Sequence, residues 1–212
     1  MAEFVPYETV SEEVTAEFIE KKSRFIGVIA PVQTEDEALA FIAAQREKYP
    51  GATHYVHAYV LRENNTLRFT DDGEPSGTAG KPALEVLTRE GLTDVACIVI
   101  RYFGGILLGA GGLTRAYARG ARDAVAAAQR VRMVPSISFE LKVSYAAWQR
   151  LSRVLPKYGV RQDDLEYGED ICLSGSVETA DFAPLCEAVR EHTAGAALPV
   201  KTGEGIRPRD VE

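Results

Sequence analysis

With 212 residues, 46% of them apolar and 26% charged, the chain has an ordinary globular composition, far from disordered, collagen-like or disulfide-framework sequences. Its 31 acidic against 24 basic side chains give a formal charge of -7, which excludes a protein that coats nucleic acid by bulk charge and makes DNA an unexpected partner. No apolar run approaches the ~18 to 20 residues of a membrane-crossing helix, and Met1 to Val14 carries acids where a secretory signal carries cations, so a cytoplasmic location without membrane contact is expected. Cys97, Cys172 and Cys186 are widely spaced, without a Cys-x-x-Cys pair, and read as buried free thiols.

In chain order, Val14 to Val32 is β-branched and aromatic around Lys21-Lys22-Ser23-Arg24, predicting a hairpin. Thr34 is placed to cap a helix whose first turn holds Glu35, Asp36 and Glu37, and Pro50-Gly51 ends it. Thr53 to Leu61 and Thr66 to Thr70 read as strands turned by Asn64-Asn65. Asp71 to Gly80 is a loop, Pro82 opens a helix to about Thr88, and Val95 to Tyr102 has the apolar run of a central strand covered on both faces. Five glycines in the nine residues from Gly104 to Gly112 precede an Ala-rich helix from about Leu113 to Gln129, stopping near Arg132.

Beyond Met133 the signals restart. Strands over 136–143, 158–167, 171–177 and 197–201, with helices over 145–155 and 181–192, give the order βαββαβ, that of a ferredoxin-like sandwich. Phe139, Trp148 and Tyr158 form no RNP-type aromatic motif and read as core. The expected organisation is α+β throughout, with domains at 1–132 and 133–203 and a flexible tail at 204–212.

Between Arg101 and Arg132, Arg101, Arg115, Arg119, Arg122, Arg130 and Arg132 face the single acid Asp123. At 100° per residue Arg115, Arg119 and Arg122 lie within about 60° of one another on a helix. Guanidinium forks on one face can follow a phosphodiester backbone, or can simply be a solvated face bridged to acids. The glycine segment fits either a phosphate cradle at a helix start or tight packing, since it matches no established nucleotide-binding spacing. Asp71, Asp72 and Glu74, with Ser76 and Thr78, form either a shaped recognition loop or a divalent-cation cluster. On a strand, His54 and His57 fall on opposite faces, which argues against a shared metal. No nucleophile elbow or hydrolytic metal motif is present.

The segment from Cys97 to Tyr117, containing Arg101-Tyr102-Phe103-Gly104-Gly105 and Gly109-Ala110-Gly111-Gly112, resembles the signature of the Impact family in its YigZ branch. Lys22-Ser23-Arg24-Phe25, Ala52-Thr53-His54 with Ala58, and Asp71 to Gly80 resemble further blocks of that family, whereas His57 lies in none. The resemblance implies a first domain like domain 2 of ribosomal protein S5, with the pair resembling the last two domains of elongation factor G. It also implies a recognition surface formed by the Arg101 segment with the acidic loop, and supplies no settled enzyme activity. The expected function is regulation of translation or of the stress response by binding the ribosome or structured RNA, with no cofactor and no metal. The expected surface comprises His54, Asp71, Asp72, Glu74, Lys81, Arg101, Tyr102, Gly104, Gly105, Gly109, Gly111 and Gly112, with Arg115, Arg119 and Arg122 on phosphates. The alternatives are an enzyme acting on a phosphorylated small molecule or peptide, and a protein-interaction module using the acidic loop.

Overall fold

The structure, a computed structural model, describes residues 4–211. It is α+β, with antiparallel strand pairing in both main sheets, and it divides into a larger unit over 7–132 with 210 and 211, and a smaller one over 133–209 with 4–6.

The larger unit opens with a short strand absent from the expectation, β1 (Tyr7–Val10), whose Thr9 hydroxyl donates to the Asp94 carbonyl at 3.0 Å. Strands β2 (Val14–Glu20) and β3 (Ser23–Pro31) form the hairpin, turned by Lys21 and Lys22 at φ 45° and 64°. These left-handed values match the twist of a two-residue hairpin loop. Helix α1 (Glu35–Lys48) starts as expected: Thr34 Oγ1 accepts from the Glu37 N–H, and Glu37 accepts in return from the Gln33 N–H at 2.7 Å. Such a reciprocal cap contributes about 1 kcal/mol. Strands β4 (His54–Leu61) and β5 (Thr66–Thr70), helix α2 (Gly80–Arg89), strand β6 (Val95–Tyr102) and helix α3 (Ala110–Ala127) complete the unit.

The sheet order is β2-β3-β6-β4-β5, which makes β6 central. Val95, Cys97 and Val99 enter the core under α2 and α3, while Ala96, Ile98 and Ile100 enter the core under α1. Each fully buried Val or Ile contributes about 1.5–3 kcal/mol, so this strand anchors both layers. Helix α3 approaches the sheet through a glycine contact: a Cβ built on Gly27 would lie 2.2 Å from the Gly120 carbonyl oxygen.

Helix α3 differs from its expected span at both ends. It begins three residues before Leu113, because Gly109 at φ +70° makes the turn and the first-turn N–H groups of Ala110, Gly111 and Gly112 need no intrahelical acceptor. It ends at Ala127, and strand β7 (Arg130–Val143) starts at once, so Arg130 and Arg132 lie on a strand.

In the smaller unit β7 continues through Pro135, and its ladder with β9 begins at Ser136, just past the residue without an N–H. Helix α4 (Tyr145–Leu151) is shorter than expected and gives way to a 3₁₀ turn at Leu155–Tyr158. Strands β8 (Arg161–Tyr167) and β9 (Ile171–Glu178), helix α5 (Phe182–His192) and strand β10 (Val200–Asp210) follow, in the spatial order β8-β9-β7-β10. The polar segment after Gly203, expected as a tail, is therefore strand through Asp210. Phe139 is buried in this unit's core, with Trp148 and Tyr158 packed against it.

Candidate functional site

One row crosses the end of the larger sheet. Phe25 on β3 and His54 on β4 both lie opposite Arg101 on β6, so the three residues share the face beneath α2 and α3. Arg101 continues the alternation of Val95, Cys97 and Val99, and it is only 4% exposed. Its charge is met by Glu74, whose side chain is equally buried: Arg101 Nη1 donates to Glu74 Oε1 at 2.6 Å. Tyr117, reaching down from α3, donates its hydroxyl to the same oxygen at 2.7 Å. Burial and the adjacent carboxylate push the Tyr117 phenol far above its ordinary pKa, fixing it as a donor. Ser23 Oγ accepts from Arg101 Nη2 at 3.4 Å and from the Gly104 N–H at 3.1 Å, tying the start of β3 to the glycine segment.

His54 is hydrogen-bonded at one ring nitrogen and faces a carboxylate with the other. Nδ1 lies 2.8 Å from the Asp72 carbonyl oxygen, which accepts only, so Nδ1 donates; Nε2 faces Glu74 Oε1 at 3.6 Å. His57 points to the opposite face of the sheet and belongs to no part of this cluster; burial lowers its pKa.

The acidic loop is organised by its own carboxylates. Asp71 accepts from the N–H groups of Gly77, Ala79 and Gly80 at 2.8, 3.0 and 2.8 Å, covering the start of α2, which has no side-chain cap of its own. Burial opposes this ionisation, but the three donors outweigh it and hold Asp71 below the usual carboxylate range. Asp72 accepts from Arg46 Nη2 at 2.7 Å and from the Tyr55 N–H at 2.6 Å. Asp71, Asp72 and Glu74 thus have three separate sets of partners, and among the described residues no group of three or more His, Cys, Asp or Glu is placed to hold a metal ion. Glu74 and Arg101, expected at a recognition surface, are buried instead and neutralise each other.

The glycines divide by role. Gly104 passes against the hairpin turn, where a Cβ would lie 2.0 Å from the Lys22 backbone. Gly105 and Gly109 have φ of +81° and +70°, values that a side chain disfavours. Gly111 and Gly112 sit in the first turn of α3, which no side chain caps. Tyr102 is half-buried and donates its hydroxyl to the Pro50 carbonyl at 3.3 Å.

Arg115, Arg119 and Arg122 come together on an open groove of about 480 Å³ between α2 and α3, with Arg89, Glu85, Pro82, Val86, Thr114 and Ala118. Arg119 donates to Asp123 at 3.2 Å and lies over the Phe18 ring at 4.2 Å. Among the described residues, Arg115 and Arg122 have no carboxylate partner, and neither does Lys81, exposed in the first turn of α2. Composition and spacing did not single out Ser23, Tyr117 or Phe18. The available signals were the buried hydroxyls, which need partners, and the alternation along β2 and β6.

The Impact N-terminal domain matches residues 21–125, and a domain of unknown function, DUF1949, matches 141–196. The chain is 36% identical over 199 residues to the IMPACT family member YvyE of Bacillus subtilis, covering 93% of this chain and 91% of that one. It is 32% identical over 191 residues to the IMPACT family member YigZ of Escherichia coli, covering 89% and 91%. Similarity to Protein IMPACT of Rattus norvegicus is 31% over 98 residues, 44% of this chain and 31% of the rat protein. A solved structure titled as a crystal structure of a hypothetical protein aligns with a TM-score of 0.60 at 30% identity, over 93% of this chain and 98% of that chain. The matched span of 21–125 contains every residue of the buried cluster and of the arginine groove, and with two bacterial relatives aligned over about nine-tenths of its length the chain belongs to the IMPACT family.

Proposed function

We propose that this protein is a cytoplasmic regulator associated with translation or the stress response, and that it binds structured RNA, alone or within the ribosome, along the groove between α2 and α3. The observation that carries this reading is the groove itself: four arginines line it against one glutamate, and that Glu85 is already engaged by Arg89 at 3.6 Å. Arg115 and Arg122 are left for oxygens from outside, and guanidinium forks match phosphate geometry. In a chain of net charge -7, such a site admits phosphate only locally and in one orientation.

The finer fold assignments serve the same reading. The three layers of the larger unit are consistent with a domain like domain 2 of ribosomal protein S5, and the order β8-β9-β7-β10 supports a ferredoxin-like smaller domain. The buried cluster holds the acidic loop beside the glycine segment. An enzyme using His54 or Glu74 to move protons is disfavoured, because both ring nitrogens of His54 face internal partners and Glu74 is spent on Arg101 and Tyr117. A protein-interaction role for the acidic loop is likewise weakened by the internal bonding of its carboxylates.

The test is binding of the purified protein to ribosomes and to structured RNA over a salt series. Phosphate contacts require steep weakening as salt rises, and charge reversal at Arg115 and Arg119 must abolish binding. Absence of binding at every salt concentration would sink the proposal.

A further inference from the structure

A second cavity, of about 250 Å³, opens on the other flank of α3, between that helix and the β2–β3 hairpin. Phe18, Leu108 and Ala116 give it an apolar floor, and Lys21, Arg115 and Arg119 give it a cationic rim. It shares Arg115 and Arg119 with the groove between α2 and α3, so the two concavities are joined through these side chains. Its size falls just below the range of pockets that take drug-sized ligands, too small for a duplex and suited to one planar group.

Arg119 is the element that selects the ligand. A column of stacked groups runs outward from the core: the Phe25 and Phe18 rings are parallel at 5.0 Å with an interplanar angle of 5°, and the Arg119 guanidinium rests on Phe18 at 4.2 Å. The bond to Asp123 holds the guanidinium from its edge, and half of the side chain remains exposed. Arg119 thus both contacts the Phe18 ring and lines the cavity, with half of its side chain open. Unstacked RNA bases pack on arginine planes, whereas bases inside a duplex are covered by their neighbours.

We infer that this cavity takes one unpaired base of a structured RNA, stacked on Arg119, while the adjoining phosphates lie along the α2–α3 groove. The inference rests on the RNA-binding reading above and narrows it to loops and bulges. Lys21 and Arg115 then flank the nucleotide, and the Glu20 carboxylate at the same mouth accepts from a base N–H.

Three RNAs of equal phosphate count test it by fluorescence anisotropy: a hairpin with a uridine loop, the same hairpin with abasic loop nucleotides, and a blunt duplex. The expected result is binding about tenfold tighter for the uridine loop than for the other two, in line with the loss of one stacked base. Leu108→Trp, which fills the cavity from its apolar side, is expected to erase that preference while leaving salt-dependent binding of the duplex. Because Leu108 also touches the core, a second measurement uses the unaltered protein: a 4-thiouridine loop is expected to crosslink to the peptides that carry Phe18, Leu108 or Arg119. Equal, salt-dependent binding of all three RNAs would overturn the base site and leave the phosphate groove standing. Failure of every RNA to bind would remove both, and crosslinks confined to other peptides would overturn the base site alone.

Discussion

The Tyr117 hydroxyl donates to Glu74 Oε1 at 2.7 Å, beside the Arg101 guanidinium that donates to the same oxygen at 2.6 Å. Helix, loop and central strand therefore meet on one carboxylate. Removing it leaves a buried cation alone, which costs far more than the net worth of the pair. Glu74→Ala is expected to destabilise by about 3–5 kcal/mol. Tyr117→Phe, which loses only a hydrogen bond to a charged group, is expected to cost about 1.5–3 kcal/mol. Urea unfolding of the two variants checks the order, and a smaller loss for Glu74→Ala than for Tyr117→Phe would contradict the geometry.

Glycines of similar appearance in the sequence are expected to respond in opposite directions. At Gly27 an added methyl meets the Gly120 carbonyl oxygen at 2.2 Å, backbone against backbone, so Gly27→Ala forces α3 away from the sheet and is expected to cost at least about 1–3 kcal/mol. At Gly111 the nearest atom to the new Cβ is the flexible end of Arg115 at 3.7 Å, and the residue is helical. Gly111→Ala is expected to stabilise by up to about 1 kcal/mol. Thermal unfolding of both variants reads the two signs directly.

The same contrast marks what the sequence made legible. The β2–β3 hairpin, the Thr34 cap and the central place of β6 were readable because each has a local cause: turn chemistry, a capping oxygen, an unbroken apolar run. The start of α3 was not, since Gly111 and Gly112 read as helix breakers although first-turn residues need no intrahelical acceptor. Strand β10 lacks an apolar alternation: nearly all of its residues are exposed, and its pairing with β7 is set by tertiary context. Arg101 and Glu74 looked like surface charges because one ends an apolar strand and the other lies in a Gly-Pro loop. The place of Arg101 on a strand covered on both faces was the signal that it is buried, and its parity with Val95, Cys97 and Val99 assigns it to the face beneath α2 and α3. The spacing of Arg115, Arg119 and Arg122 placed them on one helix face, but the groove that they line depends on α2, which no helical wheel contains.

Acid should weaken the larger unit in two stages. His57, Asp71 and Asp72 all have folded-state pKa values below their ordinary ones: His57 through burial, and the two aspartates because N–H donors, with Arg46 for Asp72, outweigh the opposing effect of burial. For a depressed pKa the unfolded chain takes up its proton first as pH falls, so the stabilisation is complete above the unfolded value and drains away below it. The loss begins below about 6.5 for His57 and below about 3.9 for the aspartates. The urea midpoint is expected to fall through both windows, with His57→Gln flattening the upper stage and Asp71→Asn the lower. A midpoint that rose on acidification would contradict the assignment.

Arg115, Arg119 and Arg122 share a helix face and yet are expected to separate by experiment. Arg115 and Arg122 make no ion pair among the described residues, so Arg115→Ala and Arg122→Ala remove the proposed phosphate contact and little else; surface changes of this kind shift stability by no more than about 0.5 kcal/mol. Each is expected to lower the slope of log affinity against log salt by about one, uniformly across RNA sequences. Arg119 also lies on Phe18 and pairs with Asp123 at 3.2 Å, so Arg119→Ala is expected to lower the slope similarly and in addition to destabilise by about 0.5–1 kcal/mol through the lost cation–π contact. Arg119→Lys keeps the charge but loses the flat group on which a base can stack. It is therefore expected to preserve the salt slope while losing the preference for an unpaired loop, a combination that a purely electrostatic role for Arg119 does not produce.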